Sequence, residues 1–311
     1  MLCVRLFKRR EVKRDDQGTG EPKMVEKKLG KVVLTNTSRE MYPDLHLTKL
    51  DVIEYYLSIA PRILPYLEER ALVLQRFPEG IDHPGFYEKD APAGTPEWVR
   101  LFPHHSVSAD RDLRYIVCDN PDTLIWLANL AALELNIPLA RLADPDAPDL
   151  LLFDIDPEPP AGFPEAVSTA LALRDMLLDL GLVPFVKTSG KKGLHVVIPI
   201  AGGYRFHQTR NFVHAVGALL AKESPLIVAE LTQTKDPGKV FIDYLQNSAW
   251  KTMISPYSLR ATVTATVSLP VSWSDLAGRI VPDDFTIQTV HAGREDPWWN
   301  LNIAAERLPE V

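Results

Sequence analysis

"LLLFDIDPEPP", residues 150–160, ends an apolar run with two carboxylates two places apart. Leu150, Leu151, Leu152 and Phe153 read as a buried strand, and burying Asp154 and Asp156 beside them is costly unless something positive meets them. Residues i and i+2 of a strand share a face, so both carboxylates point to one place. Such a pair, just ahead of a strand-ending Pro157, suits a hard divalent cation held through oxygen. A D-x-D that merely opens the turn DPEPP is the alternative, and the pair alone does not decide between them.

The order of elements around this strand sets the fold. A helix opens at Pro164, with Leu173, Met176, Leu177 and Leu180 on one face and Gly181 as its stop. Strands follow at 184–189 and 194–200, joined by a tight GKKG connection; then comes a helix over 208–222, with Phe212, Val216, Leu219 and Leu220 in phase. Two more strands fit PLIVAEL and KVFIDYL. The order βαββαβ predicts an α+β protein with a ferredoxin-like, RRM-type core and helices on one face of the sheet, a fold that hosts many functions.

Upstream, a second α/β lobe is expected over residues 31–147. KVVLTN (31–36) reads as a strand, Thr48 caps a helix running through DVIEYYLSIAPRIL, and ALVLQRF (71–77) is a strand entering a turn-rich stretch. RYIVCD is a further strand. Asn120 and Pro121 open a helix, and the interrupted apolar stretch from Leu124 to Ala143 reads as a buried amphipathic helix rather than a membrane span. Residues 148–311 then form the lobe that carries the chemistry, together with a carboxy-terminal segment in which WSDLAG looks helical.

Charge is uneven. Residues 1–31 hold ten Lys/Arg against five Asp/Glu, net +5, while the rest is net −12. The basic, Gly-containing leader over 1–30 is expected to be a mobile tail, either a solvated extension or a nucleic-acid-contacting arm. The acidic remainder counts against a non-specific coat on nucleic acid, so any such contact runs through local patches. Two cysteines, Cys3 and Cys118, make neither a disulfide framework nor a Cys-rich zinc site, and no signal peptide is visible, so a reducing intracellular compartment is expected.

Two further stretches join the carboxylate pair. In KVFIDYLQN, Asp243 again interrupts an apolar strand, and three carboxylates from adjacent strands can clamp two magnesium or manganese ions for phosphoryl transfer. Taken singly, Asp243 reads rather as a solvent-facing residue on an edge strand. In TSGKKGLH (188–195), Gly190 and Gly193 permit a tight turn whose N–H groups can face an anion; Lys191 and Lys192 add charge, and Ser189 and His195 add donors. This is not a Walker A loop, and a bare hairpin turn is its bland alternative. Gln246, Asn247, Lys251 and Arg260 follow Asp243 as candidate sugar, base or phosphate contacts. Phe86 and Tyr87, in GFYEKD, are either base-stacking aromatics or loop anchors.

Together LTNTSREMYP, LTKLDVIEYY, LQRFPEGIDHPGFYEKDAP, LLLFDIDPEP, TSGKKGLHVVIPI and KVFIDYLQNSAWKTMISPYSLRA resemble, in order, the polymerase domain of ligase D, the end-joining member of the archaeo-eukaryotic primase superfamily. The resemblance implies a template-dependent nucleotidyltransferase using two manganese or magnesium ions, with Asp154, Asp156 and Asp243 as metal ligands. It implies Ser189, Lys192 and His195 around the incoming NTP or dNTP, with Gln246, Arg260 and Arg76 near that nucleotide. Asn36, Arg39 and Lys49 match the pocket for the 5′-phosphate of a downstream strand, and Phe86 and Tyr87 the pair that stacks on template. It further implies a ribonucleotide preference, DNA with a 5′-phosphorylated gap or end as substrate, Ku and a DNA ligase as partners, and a prokaryotic, nucleoid-associated cytoplasmic setting.

Two departures stand out: Asn136, in ELNIPL, replaces a His that is usual in the family, which puts sugar preference in doubt, and Arg39 replaces a common Lys, keeping the charge but changing its geometry. The K-x-D-G nucleotidyl-lysine motif of a ligase is absent, since Lys89 in YEKDAP lacks the Gly. Hence a stand-alone polymerase or an excised part of a fused enzyme is expected, the leader from Met1 favouring the former. The rival readings are a primer-independent primase and a catalytically silent scaffold that binds nucleic acid or Ku.

Overall fold

The computed structural model describes residues 28–106, 109–230, 236–301 and 305–309. The basic leader, apart from residues 28–30, lies outside the described residues. Among the described residues the chain builds two larger sheets, one six-stranded and one four-stranded.

The six-stranded sheet runs in the order Ile227–Val228, Val240–Asp243, Leu150–Pro157, Leu194–Pro199, Phe185–Thr188, Pro270–Val271. Neighbours are antiparallel except for the first pair. With the helices Phe163–Asp179 and Phe206–Glu223 inserted in chain order, this is the expected βαββαβ core, its four principal strands in the order 4-1-3-2. The first helix is started by Glu165, whose carboxylate accepts the Gly162 N–H at 2.7 Å, and it buries Ala166, Ala170, Leu173 and Leu177, one per turn. The second buries Phe212, Val213, Val216 and Leu220, whereas Leu219, expected in the same face, is exposed.

Which face of the sheet takes the helices follows from Gly217. A Cβ there would lie 3.7 Å from Ile242 Cγ2, so the Phe206–Glu223 helix rests on Ile242. Ile242 is directly opposite Ile155, and cross-strand partners share a face, so Leu151, Phe153 and Ile155 are the helix-facing set. Asp154, Asp156 and Asp243 alternate with them and point away from the helices.

The four-stranded sheet has the order Thr252–Ile254, Ala132–Pro138, Val73–Arg76, Phe86–Glu88. Its first strand comes from the far side of the carboxylate-bearing core in sequence, so residues 148–311 lend a strand to the sheet otherwise built from 31–147. Helix Lys49–Leu67 begins as expected: Thr48 Oγ1 accepts the Asp51 N–H, and Asp51 answers to Thr48 N at 2.6 Å. Its Tyr55 hydroxyl donates to Tyr257 O at 2.8 Å and its Tyr56 hydroxyl accepts from Leu259 N at 3.1 Å, fixing the segment that leads to Arg260.

The sequence reading of the stretch from Leu124 to Ala143 is corrected here. The helix covers Pro121–Asn129, Ala131 turns the chain with φ +60°, and Ala132–Pro138 is a strand buried along its whole length. A strand flanked on both sides shows no alternation of apolar and polar residues, and periodicity cannot separate it from a buried helix. The turn-rich stretch after Phe77 likewise contains the strand Phe86–Glu88, and Leu101–Ser106 pairs with Arg111–Ile116. The strand read at 31–36 is confined to Val32–Val33. No helix among the described residues is long and apolar enough to cross a membrane.

Candidate active site

Four polar residues lie in one row across the core sheet. Asp243 is opposite Asp154, Asp154 is opposite His195, and His195 is opposite Lys187, all on the face away from the helices, with Asp156 two residues further along its strand. Mutual repulsion and burial raise the Asp154 carboxyl to about 8; burial acts most strongly, then Asp156, then Asp243. His195 Nε2 stands 3.4 Å from Asp154 Oδ1. Burial, then Lys187 and Arg260, push the imidazole pKa well down, so the ring is neutral near pH 7. Lys187 is fully buried, hydrogen-bonded to Ser268 Oγ, and its ammonium is likewise strongly disfavoured by burial.

The chain leaves Asp243 through the turn Tyr244–Gln246. Asp243 Oδ1 accepts the Leu245 N–H at 2.9 Å, and Oδ2 accepts Gln246 Nε2 at 3.2 Å. Asn247, fully buried, then replaces a strand residue: its Oδ1 accepts Leu152 N at 3.0 Å and its Nδ2 donates to Leu152 O at 2.6 Å. Its place is therefore in the support of the Leu150–Pro157 strand rather than in the cavity.

Residues 189–193 close over the end of that strand. Gly190 has φ +73°, and a Cβ on Gly193 would come within 2.3 Å of Ile155 O, so the loop sits against the carboxylate strand through glycine alone. Ser189 Oγ accepts the N–H groups of both Lys191 and Gly193 at 3.2 Å. Those two donors were expected to face an anion; they are spent on the serine, and the charge of the loop is instead carried by its lysines. Lys191 Nζ is 3.9 Å from Glu134 Oε1 and Lys192 Nζ 3.6 Å from Glu158 Oε2.

These groups surround a cavity of about 480 Å³. Asp154, Asp156, Ser189, Lys191, Lys192, His195 and Arg260 line it together with Asn136, Leu152, Gln246 and Thr252–Ile254. That mixture of charged and less polar lining fits a ligand with an anionic tail and a less polar body. Among the described residues no three Asp, Glu, His or Cys side chains converge as a ready-made metal centre, since Asp243 is held by its own turn. The donor set nevertheless fits a hard cation: three carboxylates share one face, and the raised Asp154 pKa records a negative field that a divalent ion would relieve.

A second cluster lies on the other lobe. Lys49, 5 % exposed, donates from Nζ to Asn129 O at 2.9 Å and Thr35 Oγ1 at 3.3 Å. Burial, Arg39 and Arg76 together lower its ammonium to about 8. Arg39 is ion-paired with Glu79, and Asn36, with φ +48°, turns the chain so that its carbonyl accepts Arg39 N at 3.0 Å. Arg76, expected near the nucleotide, is absent from the cavity wall. It is tied to Glu88 at 2.9 and 3.0 Å, and its guanidinium lies 5.4 Å from the Phe86 ring centroid. Phe86 and Tyr87 are 45 % and 65 % exposed on the edge strand.

Thus Asp154, Asp156, Ser189, Lys192, His195, Gln246 and Arg260 share one cavity with Asp243 beside it, whereas Asn36, Arg39, Lys49, Arg76, Phe86 and Tyr87 belong to a separate surface. Glu134 and Lys187 were not singled out from sequence. Glu134 gives the same signal as Asp154, an acid within an apolar strand, but it sits in the stretch read as helix.

Comparison with known proteins bears on the family and the fold. The family described as "LigD, primase-polymerase domain" matches residues 48–298. The multifunctional non-homologous end joining DNA repair protein LigD of Mycobacterium tuberculosis is 35 % identical over 257 residues, covering 79 % of this chain and 33 % of the relative. The bifunctional non-homologous end joining protein LigD of Bacillus subtilis is 30 % identical over 262 residues, covering 84 % of this chain and 42 % of the relative. The chain therefore spans about a third of the length of the first of these curated relatives. Among solved structures, the polymerase domain of Mycobacterium tuberculosis ligase D in complex with DNA superposes with a TM-score of 0.80 at 32 % identity, covering 88 % of this chain and 99 % of that one.

Proposed function

The chain belongs to the LigD primase-polymerase family, and we propose that it is a template-dependent nucleotidyltransferase that extends DNA ends and fills short gaps in non-homologous end joining. The observation that carries this reading is the register pair Asp154–Asp243, with Asp156 on the same face, beside a cavity that is also lined by Lys191, Lys192 and Arg260. Asp154, Asp156 and Asp243 are the residues that would hold two divalent cations, manganese or magnesium, which when bound supply Lewis-acid activation of a primer 3′-hydroxyl and charge neutralisation on a triphosphate.

The protein's own groups do the rest. Lys192, Lys191, Arg260 and the Ser189 hydroxyl bind the triphosphate, and the neutral His195 imidazole orients the Asp154 carboxylate. Gln246 steadies Asp243. Phe86 and Tyr87 stack on template, while Arg39, Lys49 and Asn36 take the 5′-phosphate of the strand across the gap; Arg76 joins that surface. Asn136 lines the same cavity, and the family preference for ribonucleotides is proposed to hold with Asn at this place. Ku and a DNA ligase, separate or fused, are the proposed partners, residues 31–147 and 148–311 the two working lobes, and the bacterial cytoplasm the proposed setting.

The test is extension of a labelled primer across a short gap bearing a 5′-phosphate, with manganese, for ribonucleotides and deoxyribonucleotides. Wild type is expected to add ribonucleotides preferentially, and Asp154→Ala to lose at least about 10³-fold in rate while still binding DNA. Extension by the variant at the wild-type rate refutes the assignment of the carboxylates. DNA binding without addition by wild type, under any metal, favours a scaffold, and products formed without a primer favour a primase.

A further inference from the structure

Glu134 is 2 % exposed, in the middle of the Ala132–Pro138 strand, and it is not on the cavity wall. Its Oε1 nevertheless accepts the Ala261 N–H at 3.1 Å and lies within ion-pair range of two cations of the cavity wall, Arg260 Nε at 3.3 Å and Lys191 Nζ at 3.9 Å. The backbone of Arg260 is already fixed. Its N–H donates to Thr266 O at 2.8 Å, and its carbonyl accepts the Tyr42 hydroxyl at 2.9 Å. Its side-chain stem is confined by Gly190, where a Cβ would come within 2.5 Å of Arg260 Cγ. What remains free is the direction of the guanidinium, and the acids within its field are Glu134 on one side and Asp154 on the other.

We propose that Glu134 is a positioning residue of the nucleotide site, holding the Arg260 guanidinium, and with it Lys191, at the triphosphate end of the cavity and away from the Asp154 cluster. The proposal rests on the polymerase reading above and adds to it the residue that sets the geometry of the triphosphate clamp. A buried carboxylate is costly without partners, and the Glu134 carboxylate is offset here by the Ala261 N–H and by the nearby Arg260 and Lys191 charges. Arg260 and Lys191 also repel each other, and the Glu134 carboxylate, in ion-pair range of both, offsets that repulsion. Because Glu134 belongs to the four-stranded sheet and Lys191 to the core-sheet loop, the contact also joins the two lobes at the site of nucleotide entry.

The experiment is a double-mutant cycle of Glu134→Gln and Arg260→Lys, read as nucleotide KM and kcat in gap filling and as equilibrium binding of ATP with manganese. Gln keeps the volume and an acceptor for Ala261 N but removes the charge. The expected result is a rise of about tenfold in KM and in the ATP dissociation constant for Glu134→Gln, with kcat changed less than threefold. Arg260→Lys is expected to add little in the Glu134→Gln background, because both substitutions remove one interaction. Additive effects, an unchanged KM, or a loss confined to kcat overturns the proposal. If Glu134→Gln does not fold, as judged by circular dichroism, Glu134→Asp carries the same cycle with the same criteria. A wild type that binds ATP without extending a primer fails the polymerase reading while the binding arm still decides the positioning role; one that binds no ATP overturns both.

Discussion

Asp154 and Asp243 stand directly opposite each other on neighbouring antiparallel strands, with side chains on the same face of the sheet. Like charges placed so are destabilising, and Asp156 adds a third. Burial first, and then Asp156 and Asp243, hold a proton on Asp154 up to about pH 8. An unfolded aspartate keeps its proton only below about pH 4. Between these values Asp154 holds a proton in the folded, metal-free protein that it lacks in the unfolded one, so its contribution to stability falls as pH rises. His195 and Lys187, held neutral by burial, act in the opposite sense, so the Asp154 contribution is read as a difference: with a chelator present, the melting temperature of wild type relative to Asp154→Asn is expected to drop from pH 5 to pH 8. Manganese should raise the melting temperature more at pH 8 than at pH 5. A difference between wild type and variant that stays constant or grows over this window contradicts the account.

Gly193 approaches the carbonyl of Ile155 so closely that a methyl group at that place would lie 2.3 Å from the oxygen. Gly193→Ala must push the lysine loop off the carboxylate strand, at a cost of about 1–3 kcal/mol in stability and with a higher nucleotide KM. Gly202→Ala is the control, because a Cβ there meets nothing within 4 Å. Denaturant melts and gap-filling kinetics of the two variants check this; equal behaviour of both would show that the close approach is not maintained in solution.

The acids of the site were legible because an Asp inside an apolar strand is expensive, and LLLFDID and KVFID both announce that expense. Their register was not legible, since strand pairing depends on contacts between segments about ninety residues apart. Glu134 carried the same local signal in ALELNIPL, but a strand buried on both sides lacks the alternation that marks a strand, and the acid was read as a break in a helix. Ser189 was legible as a donor in the phosphate loop; that its oxygen accepts the loop's own N–H groups is a serine turn, which the residue type permits but does not by itself enforce. Arg76 was assigned to the nucleotide by resemblance; its pairing with Glu88 across adjacent strands and its place against the Phe86 ring depend on strand register and were not legible.

Asn247 closes the ladder beside Leu152 with two side-chain hydrogen bonds, in a place without access to water. Asn247→Ala leaves a buried N–H and a buried C=O without these partners, at a combined cost of roughly 2–4 kcal/mol. The strand that carries Asp154 loosens at its centre as a result. The expected outcome is a lower denaturation midpoint, together with faster hydrogen exchange of the Leu152 amide than of the Phe153 amide. Unchanged stability would mean that water or a shifted turn replaces the amide.

Lys49 is the group whose charge state bears on recognition of a downstream 5′-phosphate. Its ammonium is lowered to about 8, first by burial and then by Arg39 and Arg76, so the free pocket loses that charge as pH rises through this value. A phosphate dianion between Lys49 and Arg39 would favour the charged form again, so binding near pH 8 takes up a proton. The ratio of affinities for gapped DNA with and without the 5′-phosphate is therefore expected to be larger at pH 7 than at pH 9. Lys49→Met should reduce the ratio about tenfold at pH 7 and remove most of its pH dependence, leaving the contribution of Arg39. Fluorescence anisotropy at constant ionic strength reads the ratio directly, since the general phosphate-backbone contribution cancels between the two DNAs. A ratio of one at pH 7 would remove the 5′-phosphate from this pocket, and a ratio that stays constant to pH 9 in wild type would transfer the recognition to Arg39 alone.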